Sequence, residues 1–219
     1  MKRFKGLVLS LVMALSACSS GPRAPDWQVQ AQGAAERYTS AYLAGSRAAD
    51  AEWQRTRAAV AATAQPQRVA RAELLRCALQ VASLDWQPTC AGFEAFKQTA
   101  LPADAAYADY LLGRWSSAAL VHLGSTQRRV AEQGAKALPA MDEPLSRLLG
   151  AAVLLRSGSV APTEQDALVV LAVEVASAQG WRRPLLAWLG LQLQRAQAQG
   201  RTDQVELIRQ RLALLAGSA

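Results

Sequence analysis

Pro144-Leu145-Ser146-Arg147-Leu148-Leu149-Gly150 and Pro184-Leu185-Leu186-Ala187-Trp188-Leu189-Gly190 carry one pattern twice, 40 positions apart. The proline, the first leucine, the apolar pair and the glycine coincide. Downstream of each, Thr163-Glu164-Gln165 is echoed by Thr202-Asp203-Gln204. The surrounding apolar residues keep a helical period. Leu145, Leu148, Leu149 and Ala152 stand at i, i+3, i+4 and i+7, and so do Leu168, Leu171, Ala172 and Val175. Leu185, Trp188, Leu189 and Ala196 share a face, as do Val205, Ile208, Leu212 and Leu215. That spacing puts one apolar stripe on each of four helices. Gly158, Gly180, Gly200 and Gly217 are expected to close them, where a residue tolerant of positive φ is wanted. Thr163 and Thr202 are expected as N-caps. Pro144 and Pro184 suit a first helical turn, where no amide donor is missed.

Upstream of the repeat the chain is filled by Ala, Leu, Gln, Arg and Glu, all good helix formers. No sustained apolar/polar alternation bounded by hairpin turns occurs. The expected helices are 26–44, 48–64, 67–84, 90–99, 103–122, 125–137, 143–156, 164–179, 183–199 and 203–216. Pro88, Pro102, Gly113, Gly124, Pro139 and Pro144 make 86–142 the least regular stretch. The fold class is therefore all-α. Paired helices repeating with this period resemble the tetratricopeptide class. The resemblance implies a right-handed helical-hairpin array, a TPR-like α-solenoid, clearest over 143–217. One departure is plain: Gly190 and Gly200 are ten apart, so the first helix of the unit is longer than in that class. Tyr42-Leu43-Ala44-Gly45 against Tyr110-Leu111-Leu112-Gly113 is a weaker echo. The alternative architecture is an irregular helical bundle.

The N-terminus has a different character. Lys2, Arg3 and Lys5 precede an apolar run built on Leu7, Val8, Leu9, Leu11, Val12 and Met13. The run is far shorter than the ~20 apolar residues of a membrane-spanning helix. It has the length and flanks of a signal-peptide core. Leu15-Ser16-Ala17-Cys18 follows, and this resembles the lipobox of bacterial lipoproteins. The resemblance implies a diacylglycerol thioether on Cys18, cleavage before it, and acylation of its amino group by a palmitate-type chain. Residues 1–17 are then a signal peptide, 18–25 a short tether and 26–219 the helical domain. Ser19 stands where, in enteric-type bacteria, an Asp favours inner-membrane retention; Ser thus implies the outer membrane. Two or more chains anchor firmly, since each buried CH₂ adds about 0.8 kcal/mol. Gly21, Pro22 and Pro25 forbid regular structure in the tether. Seven residues span at most ~25 Å, which keeps the domain near its membrane.

The whole chain carries +7, but Lys2, Arg3 and Lys5 lie in the first 17 residues and no acid does, leaving +4 for 18–219. Basic residues are spread along the helices beside acids, with no clustered basic face, so nucleic acid is not an expected partner. Cys77 and Cys90 flank Asp85-Trp86-Gln87-Pro88. In an oxidising, exported setting a disulfide is favoured; a metal pair and two free thiols are the rival readings. A zinc site wants more ligands, and the single histidine, His122, is distant in sequence. His122 sits in Val121-His122-Leu123-Gly124 and is expected to be partly buried and structural. The acid pairs Asp142/Glu143, Glu164/Asp166 and Asp203/Glu206 fall at expected helix N-termini, where the macrodipole favours them. No G-x-S-x-G elbow is present. Glu94, in Phe93-Glu94-Ala95-Phe96, lacks the Glu-Ser setting of lytic transglycosylases, and no other Glu is followed by Ser.

The functional expectation is an outer-membrane-anchored, non-catalytic interaction or assembly factor of the cell envelope. It contacts the membrane through its lipid, needs an envelope protein as partner, and calls for no cofactor or small-molecule substrate. A peptidoglycan-linked binding or regulatory factor is the alternative, with a wall-degrading enzyme behind it. Trp181-Arg182-Arg183, in the turn between the two hairpins, is the candidate binding site: such connections run over the surface, and Trp and Arg are enriched at binding hot spots.

Overall fold

The computed structural model describes residues 25–217. The expected signal peptide, Cys18 and all of the expected tether except Pro25 lie outside the described residues. Within them the helices are α1 (Asp26–Ala44), α2 (Ala49–Ala61), α3 (Pro66–Ala82), α4 (Ala91–Glu94), α5 (Pro102–Leu111), α6 (Ser125–Gln133), α7 (Pro144–Ser157), α8 (Pro162–Ala178), α9 (Arg182–Ala198) and α10 (Thr202–Ala216). Short 3₁₀ segments occupy Lys97–Thr99, Ser117–His122 and Gly134–Ala140. No strand occurs among the described residues, and no helix there is long and apolar enough to cross a membrane.

The middle of the chain departs most from expectation. The helix expected over 103–122 stops at Leu111. Gly113 explains it twice over. Its φ is +69°, and a Cβ there would lie 2.8 Å from the Ser157 amide nitrogen at the end of α7. The chain can turn and pass so close to a neighbouring backbone only as glycine. Beyond it, Ser116 opens a 3₁₀ segment by accepting from the Ala119 amide. Residues 90–99 form a single α-helical turn and a 3₁₀ turn, and 134–140 is 3₁₀ with Pro139 inside it.

The caps are a second correction. Ala161 and Arg201, not Thr163 and Thr202, occupy the N-cap positions of α8 and α10. Pro162 takes the first position of α8, and its fixed φ starts that helix without a side-chain cap. Pro144 opens α7 as expected, and Glu143 caps it by accepting from the Leu145 amide at 2.9 Å and from the Ser146 amide. Gly158, Gly180 and Gly200 are left-handed, whereas Gly217 stays right-handed at φ −75°.

The last four helices pack in chain order, α7 on α8, α8 on α9 and α9 on α10. The N-terminal helices close over this row: α3 lies against α7, and α1 against α9. Ala70, Leu74, Cys77, Ala78, Val81 and Ala82 form the buried stripe of α3 in the main core. Residues 148–154 of α7 are buried throughout, so these two turns are apolar all round and enclosed all round. A smaller core of Tyr38, Tyr42, Leu43, Trp53 and Leu79 holds the α1–α2 hairpin against α3. The two sides are pinned by Trp188 of α9, which is fully buried and donates its indole N–H to the Ala82 carbonyl at 2.9 Å. That bond satisfies one of the carbonyls that the end of α3 leaves without a helical donor. Cys77 and Cys90 stand at disulfide distance, with sulfurs 2.02 Å and Cα atoms 5.4 Å apart, and fasten the segment after α3 back onto that helix.

Candidate functional site

Trp181, Arg182 and Arg183 open α9, and all three are half-buried. Trp181 packs against both cores. Arg182 donates from Nε and Nη2 to the Leu215 carbonyl, at 3.3 and 3.2 Å, near the end of α10. Arg183 donates from Nε to the Tyr42 carbonyl at 2.8 Å, and its guanidinium lies 4.4 Å from the Tyr42 ring centroid. Burial pushes the Tyr42 hydroxyl up to about 12, against the opposing charge of Arg183. The ring therefore stays a neutral phenol, and the contact is cation–π rather than an ion pair. The two guanidiniums tie the start of α9 to the ends of α10 and α1. A partner at this turn would have to displace bonds the chain already makes.

His122 is exposed at the end of its 3₁₀ segment, not partly buried. Glu94 is exposed and pairs with Lys97 at 3.7 Å. The acids at helix starts behave as two groups. Glu143 is a cap, and Glu164 and Asp203 sit in first turns. Asp166 does something else. Its carboxylate receives Arg195 Nε at 2.5 Å, Gln199 Nε2 at 3.0 Å and Arg201 Nη2 at 3.1 Å. The Arg195 hydrogen bond is the main cause that holds its pKa below the ordinary 3.8, helped by Gln199 and the charges of both arginines. Asp166 is thus an ionised hub joining α8, α9 and the start of α10.

This hub lines a groove of about 220 Å³ between α8, α9 and α10. Arg211 reaches the same groove and makes no ion pair with any described residue. Two guanidiniums thus hold the one carboxylate of the groove, and a third lines the groove beside them. Val169 and Ile208 are buried in its wall, while Val170 and Leu207 are 42% and 58% exposed. Two of its polar atoms, Gln192 Oε1 and Arg201 Nε, are buried without a hydrogen-bond partner. Such an atom forfeits about 1–3 kcal/mol, and native structures leave few of them unexplained.

A wider groove of about 330 Å³ runs between α1, α2 and α3. Its charged groups and its buried hydroxyl already have partners. Arg68 stacks over Trp27 at 4.3 Å, Arg71 pairs with Asp104 at 3.1 Å, and the Thr56 hydroxyl donates to the Glu52 carbonyl at 2.9 Å. No group of three or more His, Cys, Asp or Glu able to hold a metal occurs among the described residues.

Compared with protein-family models, curated proteins and solved structures, the chain matches none. The α8–α10 groove is thus defined by its own geometry. Sequence reasoning missed it because its charged residues come from three helices, with 29 to 35 positions between Asp166 and the two arginines that bind it. The one available signal was Asp166 itself, an acid beyond the first turn of α8, where the macrodipole account is weakest.

Proposed function

We propose that this chain is a lipid-anchored envelope lipoprotein whose helical domain binds another protein at the membrane surface, without catalysis of its own. One observation carries the anchorage: Leu15-Ser16-Ala17-Cys18 closes a short apolar run that begins with three basic residues. Cys18 bears the lipid, Ser19 directs the protein to the outer membrane, and residues 18–25 hold the domain within about 25 Å of it.

The domain is read as a TPR-like hairpin array that has been closed on one side. The ordered packing of α7 to α10 supports the array. Stacked hairpins present extended surfaces suited to protein segments. Here α1 and α3 lie across α7 and α9, so the surface left for a partner is on α8 and α10. Cys18→Ser tests the anchorage: the variant is expected to stay an unprocessed precursor that takes up no labelled palmitate. Label in the Cys18→Ser product would end the lipoprotein reading. Capture from crosslinked cells, with the lipid in place, tests the interaction role and is expected to return an envelope protein.

A further inference from the structure

We infer that the α8–α10 groove receives an acidic segment of a protein partner, a carboxylate beside an apolar side chain. The inference rests on the interaction role proposed above and gives its partner a chemistry.

Charge sets the first requirement. Asp166 neutralises only part of the field of Arg195, Arg201 and Arg211, and Arg211 has no acid of its own. A guanidinium presents a planar fork of donors that matches a carboxylate, so the unmet partner is an oxyanion. The walls set the second. Val170 and Leu207 stand exposed at the rim, and a free inorganic anion would leave both wet. A segment with an apolar residue next to its acid covers them while its carboxylate meets Arg211. Size sets the third. At about 220 Å³ the groove lies below the roughly 300–1,000 Å³ of small-molecule sites. It has room for one or two side chains of a longer segment, not for a whole cofactor. Arg201 Nε agrees with an acidic ligand, because the unliganded chain leaves this guanidinium donor unmatched.

The test uses the full chain and a fluorescein-labelled peptide with two Leu-Glu repeats, read by fluorescence anisotropy. Its Leu-Gln analogue is the control for charge. The acidic peptide is expected to bind at least about tenfold more tightly than the analogue, and more weakly as salt rises. Arg211→Glu is expected to lower that affinity by about tenfold or more with the thermal midpoint unchanged, since the replaced side chain holds no ion pair. Leu207→Ser is expected to weaken binding of both peptides. Equal affinity for the two peptides, or wild-type affinity in Arg211→Glu, would overturn the assignment. Capture from crosslinked cells separates this failure from that of the broader reading. A partner held equally by wild type and by Arg211→Glu/Leu207→Ser removes the groove and leaves the interaction role standing. A wild-type chain that captures nothing removes both.

Discussion

The two copies of the repeated pattern are alike in sequence and unlike in surroundings. In α7, residues 148–154 are all buried, because α8 covers one side and α3 another. In α10, the last helix of the second copy, only Ile208 is buried, and Leu207 and Leu214 are 58% and 74% exposed. Even the repeated glycine differs. A Cβ on Gly150 would lie 2.7 Å from Leu138 Cδ2, whereas one on Gly190 would meet nothing within 4 Å. A repeat therefore specifies which face of each helix is apolar. It leaves open what covers that face. The first copy is enclosed by earlier parts of the chain, and the second ends in a helix with one side unclaimed.

The largest expected effect lies where the halves are pinned. Trp188→Ala removes the biggest fully buried side chain and leaves the Ala82 carbonyl without its donor. It is expected to cost about 3–5 kcal/mol, read as a lowered midpoint in chemical denaturation. A loss below about 1 kcal/mol would mean that α9 and α3 are not joined as described. Next comes the Cys77–Cys90 link, which closes a loop of 13 positions. Reduction, or Cys77→Ala with Cys90→Ala, is expected to lower stability by about 3 kcal/mol. Peptide mapping without reductant should find the two peptides joined; free, alkylatable thiols in the folded protein would refute the link. Arg183→Ala should cost about 1–2 kcal/mol, since a charged donor is lost from the Tyr42 carbonyl along with its ring contact. A surface turn making no such bonds would lose only about 0.5 kcal/mol.

The smallest pair sharpens the comparison itself. Gly190→Ala is expected to stabilise by about 0.5–1 kcal/mol, as alanine favours the helix interior and the space is empty. Gly150→Ala gains the same propensity but must displace the fully buried Leu138. Overpacking of that kind costs about 1–3 kcal/mol, so its net effect should be destabilising by about 1 kcal/mol. Equal effects at the two glycines would show that the copies share one environment.

The class of fold was legible where helices are long and periodic. Every member of the four apolar stripes, from Leu145 to Leu215, is at least half-buried. The cysteine pairing was legible from spacing together with the expectation of an oxidising setting. What could not be read was set by distant parts of the chain. Gly113 looked like a mild interruption until the α7 backbone came within 2.8 Å of it. Trp181, Arg182 and Arg183 read as a surface turn because nothing local shows that the ends of α1 and α10 close over them. The α8–α10 groove was hidden for the same reason, since Asp166, Arg195, Arg201 and Arg211 become neighbours only after two hairpins pack.

Amide hydrogen exchange of the full chain tests the central contrast most directly, because it reports the stability of each helix in one measurement. Peptides covering 148–154 of α7 and 185–196 of α9 should exchange slowest, through global unfolding alone. Peptides covering 202–216 of α10 should exchange much earlier, through local opening. Protection of α10 equal to that of α7, or early exchange in α7, would contradict the account of an enclosed first copy and a second copy whose last helix is open on one side.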